Sequence, residues 1–341
     1  MTSLRELAII IIGRNEARHL SRCILSVLKG SESVPDTQIV YVDSASTDQS
    51  VRIASAYPID ILRLKDDWFL SAAAGRYTGF LHTESRYIFF IDGDSVLFRN
   101  WLTNGIRFLK AHPEIAGTAG VVHENMLDAE GRIERIRRNR YGQRNPVEET
   151  RTLGGIALYR REALLKSGSF HPYIQVDEER ELALRIRSQG YALVRILEPM
   201  AVTYGPSRET VREILRRYHG HLYTFGRTLR HCQAEGFFTR YLFERLSFIT
   251  TTIAGFVVVL LATVIAVWSG LWHLILAVGV GLVILFLLLK RNRLHEIGTS
   301  LLKRFLMTWR TIQSYFTTRP LAMDTYPRDV IVVRKTGQAG G

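Results

Sequence analysis

The chain has 341 residues, enough for one large domain with additions, and its 47% hydrophobic and 23% charged residues make it globular on average. Its formal charge is +13, but the arginine-rich blocks at 132–144, 208–230 and 290–310 are placed so that the last two flank an apolar region at 248–289. That placement points to a membrane surface and away from a nucleic-acid groove.

In chain order, short β-rich runs alternate with helical patterns up to about residue 200, which predicts an α/β fold of strand-helix-strand units around a mainly parallel sheet. Residues 7–12 form the first strand, since a continuous apolar run is what a sheet covered on both faces requires. A helix follows over 19–28, with Leu20, Cys23, Ile24, Val27 and Leu28 on one face. Strands are expected at 38–42 and 59–64, then an alanine-rich helix over 71–82 capped by Ser71, then a buried strand at 87–91 that ends in Asp92-Gly93-Asp94. Beyond it come a helix over 101–111, a strand at 116–123, and a basic stretch over 131–146 read as a mobile loop. A strand entered through Gly154-Gly155, a helix over 178–188 and a strand at 192–197 complete the domain.

Two charge-free apolar spans follow, 248–268 and 271–289, separated by Ser269-Gly270. Each approaches the roughly 20 residues that cross about 30 Å of hydrocarbon as a helix. Trp268 and Trp272 bracket the turn, while Arg240, Arg245, Lys290, Arg291 and Arg293 mark the opposite interface, so both ends are expected in the cytoplasm. The expected divisions are an α/β domain over 1–230, an amphipathic connector over 231–247, two transmembrane helices over 248–289 and a basic tail over 290–341. Leu294, Ile297, Leu301, Phe305 and Trp309 give that tail an amphipathic start, and its last residues read as disordered. No signal peptide is visible ahead of the first strand. Cys23 and Cys232, isolated from each other in sequence, carry neither a disulfide framework nor a metal spacing and suit a reducing compartment.

In an open α/β sheet, ligands bind at the carboxyl ends of the strands. Four polar groups are placed there or close by: Arg14, Asn15 and Glu16 after the first strand, Asp43 to Asp48 after the second, Asp92-Gly93-Asp94 after the fourth, and Glu178-Glu179 opening a late helix. Two carboxylates two residues apart supply hard oxygen ligands for Mg2+ or Mn2+, which also bind substrate phosphates.

These motifs, in this order, resemble the family 2 glycosyltransferases of GT-A fold. The matching pieces are Ile10-Ile11-Ile12-Gly13-Arg14-Asn15-Glu16, Val42-Asp43-Ser44-Ala45-Ser46-Thr47-Asp48, Ala74-Gly75-Arg76-Tyr77-Thr78-Gly79, Phe90-Ile91-Asp92-Gly93-Asp94, Gly154-Gly155 with the strand and helix after it, and Glu178-Glu179 through Arg185. The resemblance implies a nucleotide diphosphate-sugar donor bound by Arg14, Asn15, Glu16, Asp43, Ser46, Asp48, Arg76, Asp92 and Gly93. It implies a metal, Mg2+ or Mn2+, on Asp94 with Asp92, an acceptor beside Gly154 and Gly155, and catalysis by Glu178 and Glu179, with Glu179 as general base where the family usually has Asp. Two departures stand out: Tyr77 replaces the usual Asn after Arg76, and no His occurs around Val202 to Pro206 where relatives often place a further metal ligand. The Q-x-x-R-W signature of processive synthases is absent after Glu179, so one sugar is expected per encounter. The expected partners are a polyprenyl-linked sugar acceptor and membrane lipid, with no nucleic acid, in the synthesis of a cell-surface or exported polysaccharide at the cytoplasmic (inner) membrane. The alternative is a catalytically silent, membrane-tethered sugar-binding or assembly subunit of the same fold.

Overall fold

The computed structural model describes residues 4–128, 130–207, 210–270, 273, 279 and 294–336. The chain divides into two compact units, 1–208 with 321–341, and 209–320.

The first unit carries β1 (Arg5–Gly13), α1 (Leu20–Ser31), β2 (Thr37–Asp43), α2 (Ser50–Ala54), β3 (Asp60–Arg63), α3 (Ala72–Leu81), β4 (Ser85–Asp92), β5 (Val96–Leu97), α4 (Trp101–Ala111), β6 (Ile115–Leu127), β7 (Ile133–Arg137), β8 (Val147–Glu149), β9 (Ala157–Arg160), α5 (Arg161–Ser167), α6 (Glu178–Ser188), β10 (Ala192–Pro206) and β11 (Ile331–Arg334). The sheet order is β11-β3-β2-β1-β4-β9-β6-β10-β5, with β7 on β6 and β8 on β10. Its centre is the expected one. Leu7 through Ile12 are all buried in β1, which runs parallel to β2 and β4. Helix α3 lies close against this core because Gly75 and Gly79 lack side chains; a Cβ at Gly79 would stand 2.4 Å from Ile10 Cγ2. The Ser71 hydroxyl caps α3 by accepting from the Ala74 N–H at 2.9 Å.

The sheet is mixed, not mainly parallel. Strand β9 runs antiparallel to both β4 and β6, β5 antiparallel to β10, and β11 antiparallel to β3. The reason lies in the connections: β9 is entered through a glycine corner with no crossover helix to return the chain in the same direction. The basic stretch expected as a mobile loop holds β7, paired with β6, and a closed turn at 139–142. Strand β7 reads Ile-Glu-Arg-Ile-Arg and is exposed along its whole length, so no buried face shows as apolar alternation. The chain end also returns to the sheet: β11 pairs with β3, and Tyr326 is 1% exposed against Trp68, Tyr77 and Tyr173, its hydroxyl donating to the Phe69 carbonyl. The disorder expected for the last residues is limited by this strand, and 337–341 lie outside the described residues.

The second unit is helical: α7 (Val211–His219), α8 (Phe225–Ala234), α9 (Phe238–Arg245), α10 (Ser247–Trp268) and α11 (Leu294–Thr317). The boundary expected at 230 therefore falls inside α8, and residues 209–230 group with this unit. Helix α10 is long and apolar enough to cross a bilayer by length and composition. The second expected span, with Trp272, Lys290, Arg291 and Arg293, lies almost wholly outside the described residues. Helix α11 leaves Leu301, Phe305 and Trp309 exposed on one stripe.

Candidate active site

Pairing in register brings the carboxyl ends of the central strands level, with Gly13 opposite Asp43 and Ile12 opposite Asp92. The loops that follow are laced together. The Asn15 N–H donates to Ser46 Oγ at 2.9 Å, Asn15 Oδ1 accepts from the Thr47 N–H at 2.8 Å, and Asp48 Oδ2 accepts from the Ala17 N–H at 3.0 Å. Asn15 holds a left-handed backbone at φ 59°, which asparagine tolerates better than most side chains. Asp43 is fully buried: Oδ1 accepts from the Tyr41 hydroxyl at 3.0 Å and Oδ2 from the Ser46 N–H at 2.8 Å, with Arg63 Nε 3.8 Å away. Asn15, Ser46, Asp43 and Asp48 thus shape the loop edge with side chains that are already engaged, while Arg14 stays exposed at its rim.

Arg76 joins two of the acidic motifs. Its guanidinium is buried and forks between Glu178 Oε1 and Asp92 Oδ1, each at 2.7 Å, joining groups 102 and 16 residues away in sequence. Such a fork needs arginine's planar donors; a lysine offers one point charge. Gly155 packs against this bridge, since a Cβ there would meet Arg76 Nη2 at 2.6 Å and Asp92 Oδ2 at 3.2 Å. Gly154 occupies φ +79° beside the Tyr141 hydroxyl. Glu178 is therefore engaged, whereas the neighbouring Glu179 is half-buried and its carboxylate has no hydrogen-bond partner among the described residues. Burial, then mutual repulsion and that of Asp177, pushes the protons of this pair toward higher pH than an ordinary glutamate.

Glu16, Asp48, Asp92 and Asp94 gather at the mouth. Burial, followed by the charges of Asp94 and Asp92, raises Glu16 from 4.5 to about 7, and burial with Asp92 also raises Asp94. Excess negative charge of this kind is what a divalent cation would relieve. Among the described residues no three His, Cys, Asp or Glu side chains converge as a ligand set. The residues present fit a cation held by one or two carboxylates, with phosphate oxygens and water completing its shell, which is the usual arrangement for Mg2+ with nucleotides. The position where a histidine ligand was missed carries Tyr204, stacked on His19 at 5.9 Å with Arg22 over its ring at 4.5 Å.

Sequence reasoning missed Tyr41, Arg63, Arg140, Tyr141, Tyr159 and Arg195. Only Arg195 left a signal, a lone charge inside the apolar run of β10, where it is 4% exposed.

A parallel β3-β2-β1-β4 core with acidic loops at its carboxyl edge and an arginine bridging two acidic motifs is an open α/β architecture of the kind that binds ligands at that edge. Residues 8–168 match the sequence family described as Glycosyl transferase family 2, so this stretch of the chain is similar to a family 2 glycosyltransferase domain. No curated protein matches the chain. Among solved structures it is similar to S. aureus TarS 1-349 in complex with UDP-GlcNAc, at 16% identity and TM-score 0.46, over 70% of this chain and 72% of that one. The TarS 1-349 crystal structure matches at 16% identity and TM-score 0.45 over 58% of this chain and 60% of that one, and S. aureus TarS at 15% identity and TM-score 0.43 over 70% and 43%. The chain thus spans about 60% of the length of the protein in the TarS 1-349 crystal structure.

Proposed function

We propose that the chain is an inverting, metal-assisted glycosyltransferase that moves one sugar from a nucleotide diphosphate donor to an acceptor hydroxyl. The observation that carries the reading is the Arg76 fork, which joins Asp92 of the Asp-Gly-Asp motif to the glutamate pair in one site. Glu179, with its lone pairs unengaged, takes the acceptor proton as the acceptor oxygen bonds to the anomeric carbon and the bond from that carbon to the diphosphate oxygen breaks. Attack from the face opposite the leaving nucleotide diphosphate inverts the anomeric centre. Glu178 and Arg76 fix the start of α6 against β4 so that Glu179 is held in place, and the laced loops of Asn15, Ser46 and Asp48 shape the edge on which the nucleotide rests. Mg2+ or Mn2+ held by Asp94 and Asp92 would supply positive charge where it develops on the leaving diphosphate.

We place the enzyme at the cytoplasmic face of a membrane, acting on a lipid-linked sugar in polysaccharide synthesis. What supports this is the apolar length of α10 and the basic blocks flanking the apolar region. An enzyme confined to a surface gains most from an acceptor confined to the same plane.

The test is nucleoside diphosphate release by the full chain in membranes across UDP-, GDP- and dTDP-sugars, with and without EDTA. Metal-dependent release from at least one donor, lost in Asp94→Ala, is expected. Donor binding without any release would establish the silent sugar-binding subunit instead. Reporter fusions at residue 245 and at the C-terminus should both read cytoplasmic; opposite sides would refute two crossings.

A further inference from the structure

The exposed ring of Tyr141 lies beside the proposed site and takes no part in the chemistry above. It is 45% exposed; the guanidinium of Arg195 covers one face at 3.7 Å from the ring centroid, and that of Arg140 lies over the ring at the longer distance of 5.8 Å. The ring is held in place by its surroundings. Asn139 and Gly142 close the turn around it with a 3.1 Å hydrogen bond, the Asn139 side chain clasps Gln143 at both its N–H and its carbonyl, and Gln143 Nε2 donates to the Arg195 carbonyl at 3.0 Å. Arg195 in turn donates to the Leu153 carbonyl at 2.7 Å and the Thr152 carbonyl at 3.2 Å, and the Thr152 hydroxyl reaches the Glu179 carbonyl at 3.4 Å. A single run of contacts therefore ties Tyr141 to the backbone of the proposed base.

Two buried polar atoms near the ring have no hydrogen-bond partner among the described residues, Arg195 Nη1 and the Tyr159 hydroxyl. Tyr159 lies within electrostatic reach of Glu179, Arg76, Arg195 and Tyr141 alike, which sets the ring and the base around one corner. Gly154, whose Cβ would stand 2.6 Å from the Tyr141 hydroxyl, is what lets the ring approach this corner. Buried donors without partners mark a place where a ligand or water completes the bonding.

Resting on the glycosyltransferase reading, we propose that Tyr141 is the stacking platform of the acceptor subsite: a pyranose ring of the acceptor lies on the open face of Tyr141 and presents its hydroxyl to Glu179. A rigid aromatic with one face already covered suits this role, because little side-chain freedom is lost when the sugar binds. The donor nucleotide, by contrast, belongs at the Asp43 to Asp48 and Asp92 to Asp94 edge.

Saturation-transfer NMR on the full chain, free of glycoside detergents, tests this with methyl β-D-glucopyranoside, methyl β-D-galactopyranoside, methyl α-D-mannopyranoside and methyl N-acetyl-β-D-glucosaminide. At least one should receive saturation at its ring C–H protons from the wild type and from Tyr141→Phe, lose it with Tyr141→Ala and Tyr141→Leu, and keep it in saturating UDP or GDP. Tyr141→Leu retains bulk, so a folding defect confined to the alanine variant is recognisable. Equal transfer in the wild type and Tyr141→Leu, no transfer from any glycoside to the wild type, or displacement by the nucleoside diphosphate overturns the proposal. Nucleoside diphosphate binding and donor turnover are read separately, so failure of the glycosyltransferase reading, with neither observed, is distinct from failure of the platform.

Discussion

Replacing Arg76 with alanine would leave Glu178 buried without its counter-ion and free one oxygen of Asp92. The two arms differ in weight. The Glu178 side chain is only 10% exposed, so removing its partner falls in the range of about 3–5 kcal/mol for breaking a buried ion pair. Asp92 is 40% exposed, and solvent screening limits its arm to about 1 kcal/mol or less. Glu178 can escape part of the penalty by taking a proton, since burial and Glu179 already raise its affinity for one. A carboxyl whose folded affinity for protons is raised contributes stability at pH below about 4.5 and loses it as pH rises through its folded value. The cost of Arg76→Ala should therefore be larger at pH 8 than at pH 5. Chemical denaturation followed by fluorescence of Trp68 and Trp101 reads it, and Arg76→Met with Glu178→Gln should cost less than the sum of the single changes by about 2 kcal/mol. An Arg76→Ala cost below about 1 kcal/mol, or one that is the same at both pH values, would refute the bridge as the element holding the site together.

Glu179→Gln should retain donor binding, measured calorimetrically, and lose transfer by about 100-fold or more, as expected on removing a general base; loss of both together would assign Glu179 a structural role. Glu16→Gln should stabilise the EDTA-treated protein at pH 8 and leave it unchanged at pH 4, because the wild-type carboxyl, raised from 4.5 to about 7, loses stability across that window. The ceiling is about 3 kcal/mol at about 1.36 kcal/mol per pKa unit, and partial exposure of Glu16 brings the expected gain to about 1 kcal/mol in melting experiments. Tyr326→Ala empties a fully buried aromatic site and removes its bond to the Phe69 carbonyl, so a loss of about 3 kcal/mol is expected from denaturation curves; a loss under about 0.5 kcal/mol would mean the chain end does not brace the sheet.

The central strands and the acidic loops behind them were legible because burial writes itself into sequence. Leu7 to Ile12 and Tyr87 to Ile91 are continuous apolar runs, and the polar residues that end them stand at a strand's carboxyl edge. Direction within the site was not legible. Asp43 and Asp94 both follow buried strands, yet Asp43 turns inward onto Tyr41 and Ser46, and no pattern of neighbours distinguishes the two. The same holds for Glu178 and Glu179, adjacent in sequence and separated in role only by which one meets Arg76. Strand β7 escaped notice because a strand exposed to water on both faces has no apolar face to reveal its period of two.

The return of β11 changes how the chain's plan is understood. A basic tail after an apolar region reads as an appendage, but the pairing of Ile331 to Arg334 with β3, the Tyr326 contacts with Trp68, Tyr77 and Tyr173, and the Thr336 bonds to Asp60 make it part of the catalytic unit's own sheet. The helices of 209–320 are thus an insertion between two segments of one unit. Closing so long a loop costs only slowly growing entropy, as the logarithm of its length. What the insertion changes is timing: the edge strand beside β3 and the aromatic cluster behind α3 form only after about 120 further residues have been made. Tyr77, the neighbour of Arg76 on α3, packs on Tyr326. The helix that carries Arg76 therefore touches the segment that follows the insertion.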